Sequence, residues 1–423
     1  MKRRKISEWS KLDNAAKIFP PNSKKSDTKV FRFSCELVEP VEKVILQQAL
    51  DITIEEFPLY KSVIKSGLFW YYFEKSDIKP VVTLEDIPPC SPLYDRNKKS
   101  LLFRVMYYKK RISVEIYHAL SDGTGALQFL RTLVFHYITI KYKDKFVEKM
   151  PVMDYDASRT QKLDDSFQKY YTNNKDNSKK KKVIAYKIRG QKLAEYRIKV
   201  IEGVMPINNI MKKVKEHNTS LTIFLASILM RSINEDIPIR HKKDPVVLSI
   251  PVNLRKYFNS ETARNFFGVI NVDYTFSEYE GDLKDVIDHL QKCFKERLTP
   301  EKLNNRINGL ASLEHNYFLR VIPLKIKDIS LRIANNIVDK RNTSTLSNVG
   351  RIEMPKEINM FIESFDIFVS TNKLQACVCS YDDKLRVSFT SSFVSTDIQM
   401  RFFRTLTSMD IPVDIITNKI DDE

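Results

Sequence analysis

The chain has 423 residues and only nine glycines, and its longest uncharged apolar run is SLTIFLASILM at 220–230. A bilayer-spanning helix needs about 20 apolar residues, so no stretch is long enough to span one. The start, MKRRKISEWSKLDN, is basic but lacks the apolar core of a secretory signal, and a cytoplasmic location is expected. Cysteine is sparse as well: Cys35, Cys90, Cys293, Cys377 and Cys379 are odd in number and scattered. That spacing excludes a disulfide framework and a structural zinc site, and it fits a reducing compartment. Cys377 and Cys379 are two apart on a strand-like run and should share one face as buried thiols. There is no Gly-x-Ser-x-Gly elbow, no Walker loop and no dinucleotide-binding fingerprint, which removes the usual serine hydrolases and nucleotide sites.

Positive charge is abundant. Lysine and arginine total 70 against 53 acidic residues, a net charge of +17. Such a surplus suits an anionic partner: nucleic acid, a phosphate-bearing cofactor or a membrane surface. The charge is dispersed (Lys2 to Lys5, Lys109 to Arg111, Lys179 to Lys182), and no nucleic-acid-binding motif accompanies it, so no nucleic acid is expected. Peripheral membrane contact stays open.

Pattern places the elements. KVFRFSCEL (29–37) alternates as a half-buried strand does, and residues 44–57 have helical spacing closed by Pro58. LLFRVMYYKKRISVEIYHAL (101–120) reads as a hairpin turning at Lys109 to Arg111, followed by an amphipathic helix after a Ser-Asp-Gly-Thr-Gly loop. Residues 155–182 are polar and charged and are expected to form an exposed, mobile connection. The second half alternates helices (220–233, 283–298, about 314–340, 396–408) with strands at 245–255, 268–276, 364–371, 374–381 and 384–393. Mixed helices and hairpins in both halves predict an α/β chain of α+β two-layer sandwiches, with an N-terminal half over 1–160, a connection over 161–182 and a C-terminal half over 183–423.

One histidine has a setting that suggests chemistry. His118 closes a strand immediately before the glycine loop, where its imidazole can face a cleft and act as a general base near neutrality. Asp122 lies four residues on and could orient the ring or hold the loop. A metal pair at this spacing needs a helix, which Gly123 and Gly125 interrupt, and no third ligand is near, so no metal is expected. A lone base without a protein nucleophile suggests direct transfer of an acyl group to an acceptor hydroxyl or amine.

HALSDG (118–123) resembles the His-x-x-x-Asp-Gly motif of the chloramphenicol acetyltransferase-like superfamily. IPVNLRKYFNSETARNFFG (250–268) is similar to its arginine-bearing strand and Asn-Phe-Phe-Gly segment. LSNVGRIEMP (346–355) resembles the Ser-Asn-x-Gly element of its alcohol acetyltransferase branch, as do EWSKLDNAAKIFPP (8–21) and FPLYKSVIKSGLFWYYFE (57–74). Two departures narrow the branch. Tyr117 stands where condensation domains carry a second histidine, and FDIFVSTN (365–372) does not match the plant branch's late glycine element. The resemblance implies two halves enclosing a tunnel and O-acyl transfer, with acyl-CoA (acetyl-CoA) as co-substrate, no permanently bound cofactor and a monomeric enzyme. It implies His118 as base, Asn348 or a backbone N–H near Gly350 as oxyanion donor, and Asp122 paired with Arg255. Gly123, Ser347 and Gly350 are structural in that reading. A catalytically idle relative and condensation-type N-acyl transfer from a carrier protein are the alternatives. The residues that bind CoA cannot be read from the chain.

Overall fold

A five-stranded sheet in the order β12-β2-β7-β6-β5 organizes the first half. It is built from β2 (Val30–Leu37), β5 (Thr83–Leu84), β6 (Phe103–Tyr108), β7 (Arg111–Tyr117) and β12 (Ile362–Val369). The helices Lys43–Glu56 and Gly123–Lys141 pack on each other and contribute to its core. A seven-stranded sheet in the order β10-β9-β11-β13-β14-β8-β15 organizes the second half. Its strands are β8 (Lys199–Pro206), β9 (Val246–Asn253), β10 (Phe267–Tyr274), β11 (Ser344–Ile352), β13 (Leu374–Tyr381), β14 (Lys384–Ser391) and β15 (Asp414–Thr417). The Leu221–Asp236 helix fills the second core, buried on most sides as its near-continuous apolar run requires. A small third sheet joins β1 (Trp9–Lys11), β4 (Tyr71–Lys75) and β3 (Ser62–Ser66). This computed structural model describes residues 9–153, 162–172, 183–194, 197–315 and 320–418. The mixed α/β class expected from the sequence is what forms.

Three expectations need correction. First, the halves are not contiguous in the chain. β12 belongs by sequence to the second half, yet it pairs antiparallel with β2 along Ile362–Val369. Arg386 on β14 ties this crossing strand back to the second sheet, donating to Ser364 Oγ at 2.9 Å and lying 3.7 Å from Asp366. Second, β2 is not half-buried. Its polar alternates are covered too, because Arg32 donates to Glu115 at 2.9 and 2.7 Å and the pair is satisfied inside the protein. Third, the exposed, mobile connection does not hold for residues 162–172. Phe167 is fully buried with Phe266, Leu303 and Ile307, and Ser166 Oγ bonds Ser260 Oγ at 2.7 Å. Residues 154–161 and 173–182, including the lysine run, lie outside the described residues. All five cysteines are free and buried, and burial pushes the Cys377 thiol up to about 12, so these are inert core groups.

Candidate active site

β7 ends at Tyr117, and the backbone N–H of His118 donates to Lys29 O at 2.9 Å, which holds the histidine at the end of this central strand. Tyr117 turns inward, fully buried, with its hydroxyl 2.8 Å from Ser23 Oγ. The His118 ring stacks on Phe19 with centroids 4.5 Å apart and 13° between planes. Phe31 meets it edge-on at 4.9 Å, and Phe267 from the second half approaches at 5.6 Å. Nδ1 is buried, while the residue as a whole keeps some accessible surface.

These rings displace most of the water around the imidazole, and that sets the charge. Burial disfavors the imidazolium and lowers the His118 pKa from its usual 6.5. Its own carbonyl, the Asp122 carboxylate and Asn265 oppose the shift only in part. The ring is therefore neutral at pH 7 and keeps a free lone pair. Since the folded-state value lies below 6.5, the neutral form persists as pH falls through 6.5 and is lost only beneath it. A kcat/KM profile should show its acidic limb below that point; a limb at or above 6.5 would contradict a desolvated His118 as the essential base.

Asp122 does not orient the imidazole. Oδ1 accepts from Gly125 N at 2.9 Å and Arg255 Nη2 at 3.2 Å, and Oδ2 accepts from Arg255 Nη1 and Phe266 N, both at 2.8 Å. Four donors occupy the carboxylate's acceptor positions, so none is left for His118. Asp122 is thus at once the N-cap of the Gly123–Lys141 helix and the near half of a bidentate pair across the two halves. Arg255 spends its remaining donors on the carbonyls of Thr262 at 2.9 and 3.0 Å and Arg264 at 2.6 Å. The guanidinium knots the 262–266 segment to the loop that carries His118.

Glycine matters here at fewer places than the motif suggests. A Cβ on Gly125 would sit 2.1 Å from Ala263 O and 2.4 Å from Ser121 Oγ, while one on Gly123 would find only Phe33 Cζ at 4.0 Å. Gly268 likewise has ordinary contacts, the nearest at 3.4 Å. Gly125 lets the second half approach the helix; Gly123 does not. Gly125→Ala should therefore cost about 1–3 kcal/mol and most of the activity, since a carbonyl cannot yield. Gly123→Ala should melt within about 0.5 kcal/mol of the parent, as harmless surface changes do. Equal melting of the two variants by calorimetry would overturn this reading.

The third expected element lies on β11. Gly350 takes φ +91°, at a register shift between Asn348 and Gly350 against β13. Its N–H donates to Asn348 Oδ1 at 2.9 Å, so it is committed and is not the oxyanion donor. That bond fixes the amide orientation and leaves Asn348 Nδ2 donating to Thr222 Oγ1 at 2.9 Å, with a second hydrogen to give. Ser347 precedes it, paired in register with Cys377.

Sequence reasoning singled out neither Asn265, Asp13 nor the ring of phenylalanines. Asn265 is buried and its Nδ2 faces Ala119 O at 3.4 Å and Asp13 Oδ2 at 3.5 Å. Burial raises Asp13 to about 6, with Arg264 3.6 Å away pulling it back. Asn265 and Asp13 fall inside the Asn-Phe-Phe-Gly and LDNAAKIFPP stretches, but no local pattern says that these meet.

The sequence model of the alcohol acetyltransferase family matches residues 167–400, more than half of the chain. The chain belongs to this family. It is therefore an acyltransferase, and its fold agrees. F. graminearum TRI101, crystallized with coenzyme A and deoxynivalenol, superposes with a TM-score of 0.65 at 13% identity, covering 96% of this chain and all of that one. The TRI3 trichothecene 15-O-acetyltransferase of Fusarium sporotrichioides gives 0.60 at 12% identity over 95% and 94% of the two chains. The starter condensation domain of rhizomide synthetase RzmA gives 0.54 at 12%, over 96% and 97%. No curated protein matches this chain in sequence. At such identities the likeness establishes the two-half fold, and the chemistry must be argued from the residues.

Proposed function

We propose that the protein moves an acyl group directly from a CoA thioester to an acceptor hydroxyl, with His118 as general base. The observation that carries the proposal is a desolvated imidazole at the end of a central strand, packed among Phe19, Phe31 and Phe267, on a loop that a bidentate Asp122–Arg255 pair clamps. Neighbors crystallized with coenzyme A support the donor class. His118 takes the hydroxyl proton as the acceptor oxygen attacks the thioester carbonyl. The tetrahedral intermediate collapses, the C–S bond breaks, and the same proton passes to the departing thiolate. Products are the ester and free CoA thiol, so the atoms balance without a covalent enzyme species. Negative charge on the intermediate oxygen needs a fixed donor, and the second Asn348 amide hydrogen is the candidate; losing one such donor costs about 10²–10³ in rate.

The test is thiol release from acetyl-, hexanoyl- and palmitoyl-CoA across a panel of hydroxyl acceptors. Acceptor-dependent release with matching ester is expected. Transfer only from a carrier-protein thioester, or only to amines, would replace the proposal with the condensation-type reaction.

A further inference from the structure

The Leu324–Asp339 helix faces the wrong way for an ordinary surface helix. Its acidic Asp328 is buried, accepting from Tyr71 Oη and Arg96 Nη2, each at 2.8 Å. Its isoleucines point outward: Ile326 is 53% exposed, Ile329 and Ile333 56%, and Ile337 47%. Spacings of three and four residues put these side chains on one stripe, about 16 Å long at 1.5 Å per residue. The stripe continues at the helix start. Leu324 N donates to Leu68 O at 2.8 Å, which joins the helix to a hairpin loop whose Leu68 is 72% and Phe69 37% exposed. Lys327 Nζ lies 3.4 Å from the Trp70 ring centroid, so a cation and an interfacial aromatic sit at the same edge. Beside it opens a cavity of about 1150 Å³ lined by both tryptophans of the chain, with Lys11, Lys75, Lys99 and Arg320 against Glu74 and Asp77.

We infer that this face docks the protein on an anionic membrane surface, with the isoleucine stripe and Leu68 entering the headgroup boundary. Charge decides among occupants. An apolar strip of this length, bordered by lysine, arginine and tryptophan in a chain of net charge +17, has the makeup of a helix that lies in a bilayer interface. A second copy would bring the same positive border against itself. The face also adjoins the candidate site: Arg332 Nε donates to Pro21 O at 2.8 Å, and Pro21 is two residues from Phe19, whose ring covers His118. Acceptors or ester products that partition into lipid would then meet the enzyme where they concentrate; this consequence rests on the proposed acyl transfer, whereas docking does not.

Flotation of the full chain with vesicles separates the possibilities without any assay of activity. Binding is expected to phosphatidylcholine vesicles containing phosphatidylserine, weaker on phosphatidylcholine alone and weaker in high salt. Ile329→Ser, Ile333→Ser and Ile337→Ser combined should lower vesicle binding at least about tenfold while leaving the chain folded with a cooperative melt, because these side chains are about half exposed and belong to no core cluster. No binding to anionic vesicles, or full binding by the triple variant, would overturn the inference. So would a parent that sediments as a dimer and a triple variant that sediments as a monomer, since the stripe then covers a second copy. Thiol release with a water-soluble acceptor should persist in the triple variant. Its absence from the parent as well would count against the acyl-transfer reading and leave docking standing.

Discussion

His118→Ala should stay folded, melting only slightly below the parent, and lose about 10²–10⁴ in acyl transfer, the range a positioned general base supplies. The residue's energetic ties are few. Its backbone N–H bond to Lys29 O survives the substitution, and Nδ1 carries no protein hydrogen bond whose loss would cost stability. What disappears is a ring stacked on Phe19, a contact worth about 0.5–1.5 kcal/mol beyond its burial. Relief of a desolvated imidazole offsets part of that. The measurement is steady-state kinetics beside calorimetry on one preparation. Turnover within about tenfold of the parent would remove His118 from the chemistry.

Asp122→Ala and Arg255→Ala are expected to act on stability first and on rate through it. Each leaves a buried charge without its partner, a loss of about 3–5 kcal/mol, and Asp122→Ala also strips a helix cap worth about 1 kcal/mol. In the double variant the residues no longer need each other, so its loss should fall well short of the sum of the two singles. Denaturant unfolding of all four proteins closes the cycle. Additive losses would show that the pair does not act as one. A rate loss in Asp122→Ala with unchanged stability would mean that Asp122 serves the imidazole directly, which its four donors argue against.

Why the chain revealed some of this and concealed the rest follows from what each signal encodes. His118, Asp122 and the glycines lie within one short strand–loop–helix, where alternation and glycine are local properties, so the place of the loop was legible; that Asp122 caps the helix and that Gly125 rather than Gly123 takes the close approach was not. Arg255 was reached only through resemblance, since nothing local in PVNLRKY says that it meets residue 122. The crossing of β12 was hidden for a related reason: strand pattern reports which side chains share a face, not which sheet the strand joins. IESFDIFV reads equally well as a member of either sheet. Phe167 was passed over because scattered aromatics in a polar run carry no period, although it anchors a small core. The Leu324–Asp339 helix is the sharpest case. Its amphipathic pattern names the apolar face, and the usual inference turns that face inward; here Leu324 and Asp328 are the buried side chains and the four isoleucines are exposed. The backbone donor expected near Gly350 failed because its N–H is already given to Asn348, a bond that only the register shift in β11 creates.

The central claim is direct transfer within a complex of protein, acyl-CoA and hydroxyl acceptor. A single-turnover reaction with acetyl-CoA, read by intact-protein mass and by ester formation together, tests it most directly. The account predicts no CoA release and no change in protein mass without acceptor, then ester and CoA in equal amounts when acceptor is added. A protein mass raised by one acetyl group before acceptor arrives, or tight CoA binding with no ester from any acceptor, would contradict it.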